Sequence, residues 1–181
     1  NQLRLSPCYE LPNTPYTIPK GKYHLGEDWT PKNAGGEKAY GGMKTLKNAL
    51  ANSVNVITAQ LIDKTTPQNV VILAKKLGIE SDIPAVPSIA LGTIDLSLYE
   101  MLGALNTFAN KGMYVKPSMV LRIEDKNGTV LEEFIPKTKE VLSEEIAYTM
   151  INLMQGVVQA GSGIRLRTTG GKYPNVIVTG Y

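Results

Sequence analysis

Five of the eleven prolines fall within the first 31 residues, at Pro7, Pro12, Pro15, Pro19 and Pro31. Proline fixes φ and removes a backbone donor, so this stretch can form extended segments and turns but no long helix. Gly35-Gly36 and Gly41-Gly42 carry the same texture to residue 42. The aromatics Tyr9, Tyr16, Tyr23, Trp29 and Tyr40 need apolar cover, so residues 1–42 are expected to lie across the remainder as a wrap. The remainder can supply that cover. With 181 residues, 43% apolar and 19% charged, the chain has material for a sizeable core and not the composition of a disordered segment.

Beyond residue 42 the punctuation is helical. Thr45 can cap a helix starting at Leu46, with Leu46, Ala49 and Leu50 on one face. Asn52-Ser53-Val54-Asn55 interrupts it, because Ser and Asn side chains compete for backbone groups and favour helix ends. A second helix can resume at Val56 and run to about Asp63, burying Ile57, Leu61 and Ile62. Thr66 as cap, Pro67 at the first position and Gly78 as stop delimit a third, with Val70, Leu73, Ala74 and Leu77 at helical period. Residues 79–96 read as loop, interrupted by Pro84 and Pro87.

Ser97-Leu98-Tyr99-Glu100 is a capping box, and the helix it opens would bury Met101, Leu105 and Phe108 before Gly112 ends it. Residues 118–134 read as a β-hairpin turning at Asn127-Gly128, with Met119, Leu121 and Ile123 alternating and Val130 and Phe134 returning. Ser143 caps a long helix to about Ala160, facing Ile146, Met150, Met154, Val157 and Val158 inward, with Gly161 as stop. The tail, 164–181, holds one short apolar run, Val176-Ile177-Val178. The fold class expected is α+β, mainly helical: a wrap over 1–42, a helical lobe with a hairpin over 45–163, and the tail.

Several chemistries are excluded early. Nineteen Lys and Arg against sixteen Asp and Glu leave a net charge of +3, without a basic block, which gives no reason to expect a nucleic-acid partner. Cys8 is the only cysteine and reads as a buried or idle thiol, so no internal disulfide or zinc-thiolate cluster can form. His24 is the only histidine, which leaves little room for a metal hydrolase or a Ser-His-Asp triad. No cofactor and no metal are expected. No apolar run approaches the roughly 18–20 residues that cross a bilayer, so the chain is expected to be soluble as it stands.

The candidate site is Ser53-Val54-Asn55. At a helix break, a hydroxyl and an amide one residue apart can turn outward together; the hydroxyl can relay a proton and the amide can hold a carbonyl or orient a lysine. From the tripeptide alone, an ordinary pair of helix caps reads as well. His24 reads equally as an exposed loop histidine. Gly161-Ser162-Gly163 with Arg165 and Arg167 could cradle an anion, or simply stop a helix. The pairs Glu27-Asp28, Glu132-Glu133 and Glu144-Glu145 could suggest two-carboxylate glycoside chemistry, but strand alternation and a helix start explain them. Asn127-Gly128-Thr129 matches the glycosylation pattern, for which the hairpin turn is sufficient cause.

The order of segments carries more. Trp29-Thr30-Pro31-Lys32-Asn33, Gly41-Gly42 and the run Thr45 to Asn55 are followed by Ala74-Lys75-Lys76-Leu77-Gly78-Ile79 and Pro87-Ser88-Ile89-Ala90-Leu91-Gly92. Then come Leu98-Tyr99-Glu100-Met101, Phe108-Ala109-Asn110-Lys111-Gly112, Ile123 to Gly128, and Gly156-Val157-Val158-Gln159-Ala160-Gly161-Ser162-Gly163. This series resembles the penicillin-binding proteins, most of all the bifunctional, class A type. The resemblance implies the helical lobe of the transpeptidase and serine β-lactamase-like fold, and it makes Ser53 and Asn55 the family's second active-site motif.

That family works with S-x-x-K, an S-x-N type and K-T-G. No serine here has a lysine three residues later, and no lysine precedes Thr-Gly; Arg167-Thr168-Thr169-Gly170 and Thr179-Gly180 are the nearest. The resemblance implies that 1–181 is a partial transpeptidase domain, with nucleophile, K-T-G strand and most of the family's central five-stranded sheet outside it. The implied parent is a serine-type D-Ala-D-Ala transpeptidase that cross-links peptidoglycan stem peptides through an acyl-enzyme and binds β-lactams. It would sit on the extracytoplasmic face of a bacterial inner membrane, with an upstream glycosyltransferase domain and anchor. This chain alone is expected to be inactive. The rival expectations are a non-catalytic binding module on the same scaffold, and a serine β-lactamase relative, against which the long hairpin counts.

Overall fold

A computed structural model of the chain describes residues 5–168, with side chains to residue 166. The expected run Val176-Ile177-Val178, the Arg167 side chain and Thr179-Gly180 lie outside the described residues. The chain divides into two compact units: the first holds residues up to Leu73, Asp82–Asp95 and those from Thr149 onward, and the second holds Ala74–Ser81 and Leu96–Tyr148.

In the first unit the proline-rich segment forms one short strand, β1 (Glu10–Pro12), and two 3₁₀ turns, Lys22–His24 and Gly36–Ala39. β1 pairs antiparallel with β2 (Met43–Thr45), Leu11 opposite Lys44. Thr45 then caps α1 (Leu46–Ala51), its hydroxyl accepting from the Asn48 N–H at 3.1 Å. The second helix, α2 (Asn55–Thr65), starts one residue before the expected Val56 and buries Val56, Ile57, Ala59, Gln60 and Ile62. Burial over so much of its circumference marks it as the unit's central helix. Leu11, Ala49, Val56 and Ile57 form the core, with Tyr40, Leu46 and Val54 packed against it.

Beside the apolar contacts of Leu11 and Tyr40, a set of three buried amides ties the proline-rich segment to α2. Asn33 Nδ2 donates to Asn13 Oδ1 at 2.9 Å, and Asn33 Oδ1 accepts from the Val56 N–H at 3.2 Å. Asn13 Nδ2 donates to the Ala39 carbonyl at 2.8 Å. Gln60 Nε2 donates to the Pro12 carbonyl at 2.8 Å. At the other end of α2, Asp63 takes a hydrogen bond from the Tyr16 hydroxyl at 2.6 Å and an ion pair from Lys22 at 2.7 Å, and its carbonyl accepts from Tyr23 at 3.0 Å. Burial, then the hydrogen bond to Asp63, pushes both phenols up to about 12. Burial also works against the Asp63 charge, but its Lys22, Tyr16 and Tyr23 donors outweigh that and hold its pKa below the ordinary 3.8.

Pro67 opens α3 (Pro67–Lys76) as expected, and Gly78, at φ 91°, follows its end. The expected phase is corrected in part: Leu77 is buried as expected, but Val70 and Leu73 are exposed and Val71 is buried. Pro67 is fully buried, and the residue four positions on shares its face, so the anchored proline selects Val71. A 3₁₀ turn, Pro87–Leu91, lies within the expected loop.

In the second unit Ser97 and Glu100 form the expected capping box of α4 (Leu98–Ala109). Glu100 does more than cap. Its carboxylate also accepts from the N–H groups of Glu80 and Ser81 at 2.9 and 2.7 Å and from both hydroxyls, Ser81 at 2.8 Å and Ser97 at 2.7 Å. Those donors, the Ser81 N–H foremost, draw its pKa down to about 2. The buried face of α4 is Gly103, Ala104 and Thr107, not Met101, Leu105 and Phe108. Small residues are needed there because a Cβ on Gly103 would already sit 3.3 Å from Pro117 and Tyr114.

β3 (Met113–Val115) is followed by the expected hairpin, β4 (Arg122–Glu124) with β5 (Val130–Glu133). β6 (Thr138–Glu140) returns to pair with β3. Asp125 shapes the hairpin turn by accepting from the N–H groups of Asn127 and Thr129 at 2.8 and 2.9 Å, with Gly128 at φ 83°. The hairpin exists but its expected inner face does not: Met119, Leu121 and Ile123 are 96%, 63% and 44% exposed. α5 (Glu144–Ala160) buries Ala147, Met154, Gly156, Val157 and Val158, while the expected Ile146 is exposed. A short helix, α6 (Arg165–Thr168), follows.

Candidate active site

The turn between α1 and α2 occupies three residues, and hydrogen bonds account for its shape. The N–H groups of Asn52, Ser53 and Val54 return to the carbonyls of Asn48, Leu50 and Ala49 at 3.1, 3.2 and 2.9 Å. Ser53 sits at φ 53°, in the left-handed region that serine rarely adopts. Val54 then swings to extended backbone, φ −84° and ψ 98°, and Asn55 opens α2. The left-handed residue reverses the chain in the space of one side chain. Without it Ser53 would continue α1 and its hydroxyl would project along that helix. Strain of this sort costs of order 1–3 kcal/mol and persists only where surroundings over-determine it.

Ser53 and Asn55 are both half-buried. The Ser53 hydroxyl has no hydrogen-bond partner among the described residues, so its donor and both lone pairs remain available. Asn55 is anchored on one side. Its Nδ2 donates to the Lys32 carbonyl at 2.8 Å, which leaves Oδ1 as an acceptor. Next along, the Val56 N–H is held by Asn33. The segment Trp29 to Asn33 thus braces the start of α2 through two consecutive residues.

The third support comes from the end of α5. The Ser162 N–H donates to the Ala51 carbonyl at 2.9 Å, and Gly161 lies so close to that carbonyl that a Cβ on it would overlap the oxygen. Gly161-Ser162-Gly163 is therefore a docking turn for α1. The Gly161 and Gly163 N–H groups return to Val157 of their own helix at 3.1 and 3.0 Å instead of facing an anion.

The remaining candidates stay apart. His24 is exposed in a tight turn at φ 61°, and Cys8 is exposed, not buried. Asp28 accepts from the Lys20 N–H at 2.8 Å; Glu132 and Glu133 lie exposed on β5; Glu144 and Glu145 stand in the first turn of α5. Among the described residues no three His, Cys, Asp or Glu side chains could together hold a metal ion, and no helix is long and apolar enough to cross a membrane. A cleft of about 400 Å³ in the second unit is lined by Asn106, Asn110, Lys116, Ser118, Leu121 and neighbours, and includes neither Ser53 nor Asn55.

Sequence reasoning found the Ser53 turn but missed its supports. Asn33 stood in a quoted motif with no role assigned, and Asn13 and Gln60 carried no signal. Gly161 read as a helix stop or as part of an anion cradle, not as a contact for α1. A buried amide announces itself in sequence no differently from an exposed one.

Residues 10–180 match the family model described as the penicillin binding protein transpeptidase domain. The chain belongs to this family. It is 39% identical over 140 residues to penicillin-binding protein 1A of Aquifex aeolicus, a match that takes in 77% of this chain and 19% of that protein. Among solved structures, penicillin-binding protein 1A from Haemophilus influenzae superposes with a TM-score of 0.81 at 21% identity, over 91% of this chain and 30% of that one. The penicillin G acyl-enzyme complex of penicillin-binding protein A from M. tuberculosis gives 0.69 at 19%, over 87% and 41%. The chain thus spans about one fifth of the length of the curated relative, and the fold is the α+β transpeptidase fold expected from the resemblance.

Proposed function

We propose that this chain supplies the Ser-x-Asn element of a D,D-transpeptidase centre, as the helical-lobe part of a larger transpeptidase domain. The observation that carries the reading is Ser53, held left-handed between two helices with a hydroxyl unpartnered among the described residues, two residues before an amide anchored at Lys32.

In this reading a serine outside the chain attacks the carbonyl carbon of the D-Ala-D-Ala peptide bond of a peptidoglycan stem, its proton passing to a neighbouring lysine. The C–N bond breaks, and Ser53 takes the proton from the lysine as it gives its own to the departing amine, so D-Ala leaves neutral at nitrogen and both relay groups return to their starting state. An amine of a second stem then displaces the serine from the ester and forms the cross-link. Asn55 Oδ1 accepts from the lysine or from the donor's amide N–H. A β-lactam enters as the donor does and stays as an acyl-enzyme. The work is done on the extracytoplasmic face of a bacterial membrane by a parent with a glycosyltransferase domain and anchor upstream.

The test is acylation by a fluorescent penicillin in a polypeptide that joins this sequence to an S-x-x-K and a K-T-G segment. Ser53→Ala should slow acylation about 100-fold or more, the span of one proton-transfer group, with no loss of melting temperature. The 181-residue chain alone should gain no mass. An adduct on the isolated chain would show that the attacking nucleophile lies within it, and an unaffected Ser53→Ala would return the lobe to the rival reading of a binding module.

A further inference from the structure

The turn that carries Ser53 leaves one backbone group behind. Asn52, Ser53 and Val54 satisfy the carbonyls of Asn48, Leu50 and Ala49, and the chain then turns away into extended Val54. Ala51, the last residue of α1 and itself buried, has no later N–H within its own helix. A buried carbonyl without a donor is costly, and a helix end is where such groups collect. Its donor is the Ser162 N–H, more than a hundred residues on.

We infer that Gly161 and Ser162 are positioning residues for Ser53, acting through the Ala51 carbonyl. Three contacts make the end of α5 a clamp on α1. The Ser162 N–H holds the carbonyl, Gly161 permits the approach by lacking a Cβ, and Lys47 Nζ reaches Asn152 Oδ1 at 3.3 Å further along. A Cβ on Gly156 would lie 3.8 Å from that of Ala51, an ordinary contact, so the tight fit is local to Gly161. Gly161 has no positive φ, so close approach and not backbone conformation requires glycine there. The clamp bears on Ser53 and spares Asn55, which has its own anchor at Lys32. The two polar groups are therefore positioned by different parts of the chain and separable by substitution.

This inference rests on the proposed role of Ser53, and its test keeps the two apart. Gly161→Ala and a Ser162 amide-to-ester replacement, which removes only the donor, are compared with Ser162→Ala, which keeps the N–H. In the 181-residue chain, amide exchange at Ser53 and Val54 should quicken about tenfold in the first two and stay unchanged in the third. In the joined transpeptidase, the first two should lower the penicillin acylation rate constant about tenfold, with the dissociation constant of the preceding complex within about twofold, since a small misplacement of a reacting group costs rate before binding. Unchanged exchange at Val54 would overturn the clamp whatever happens to acylation. Quickened exchange with unaltered acylation would also overturn it as a positioning device. Failure of the Ser53 reading would instead show in Ser53→Ala, independently of these variants.

Discussion

The proline-rich wrap and the 118–134 hairpin invert the usual division between polar surface and apolar interior. The wrap is poor in regular structure, yet it places Asn13 and Asn33 in the interior, Asn33 on the Val56 N–H at the start of α2 and Asn13 between Asn33 and the Ala39 carbonyl. The hairpin has regular strands and alternating apolar residues, yet it leaves Met119, Leu121 and Leu131 exposed. Where a single φ angle decides what a side chain faces, directional bonds locate backbone better than apolar contact does. The hairpin takes its shape from the Asp125 and Gly128 turn and the backbone ladder between β4 and β5, so neither face needs to be buried for it to form.

The sharpest way to break that contrast is Asn33→Ala. It orphans the Val56 N–H and Asn13 Oδ1 together, at a cost of about 3 kcal/mol, readable as a lower urea midpoint with unchanged slope. A loss below about 1 kcal/mol would mean that packing, not the amides, holds the wrap. A smaller effect, about 1 kcal/mol, is expected from Asp63→Asn, which weakens the Tyr16 and Lys22 contacts of the Asp63 latch and leaves the Tyr23 bond to the backbone carbonyl.

The latch also has a pH signature. The Asp63 pKa is depressed in the folded chain, so its contribution is present above about pH 4 and is lost as pH falls through the folded value. The phenols are raised to about 12, so theirs is complete below pH 10 and lost as pH climbs toward 12. Melting temperature against pH should fall at both ends, and in Asp63→Asn the alkaline fall should be smaller, because the Asp63 charge that helps to raise both phenols is gone. The smallest effects belong to the hairpin. Leu121→Ser and Met119→Ser should each change stability by under about 0.5 kcal/mol. If either equalled Asn33→Ala, the two regions would not differ in kind.

What could be read in the sequence follows the same line. The Thr45 cap, Pro67, the Ser97 to Glu100 box, the Asn127-Gly128 turn and the Gly161 stop are all local chemistry, and all stand in the structure. The burial assignments rested on periodicity and fared worse. α3 took its phase from a buried proline, and α4 buried small residues because a neighbouring ring and proline come close. The break at Ser53 was legible; that it is left-handed was not, since serine has no preference for that region. Asn33, Gln60 and the Gly161 contact depend on what arrives from 23 to more than 100 positions away, which no window of sequence contains.

Glu100 carries a consequence of its own. One anion collects donors from two sides, the residues at 80 and 81 and the start of α4, so its charge joins the two. A glutamine there would present one oxygen and one amine where two oxygens are needed, and so would push donors against a donor. The second unit is thus pinned like a rivet with a single head. Acid strong enough to protonate that head should loosen the 80–81 bend and the α4 entrance in one event.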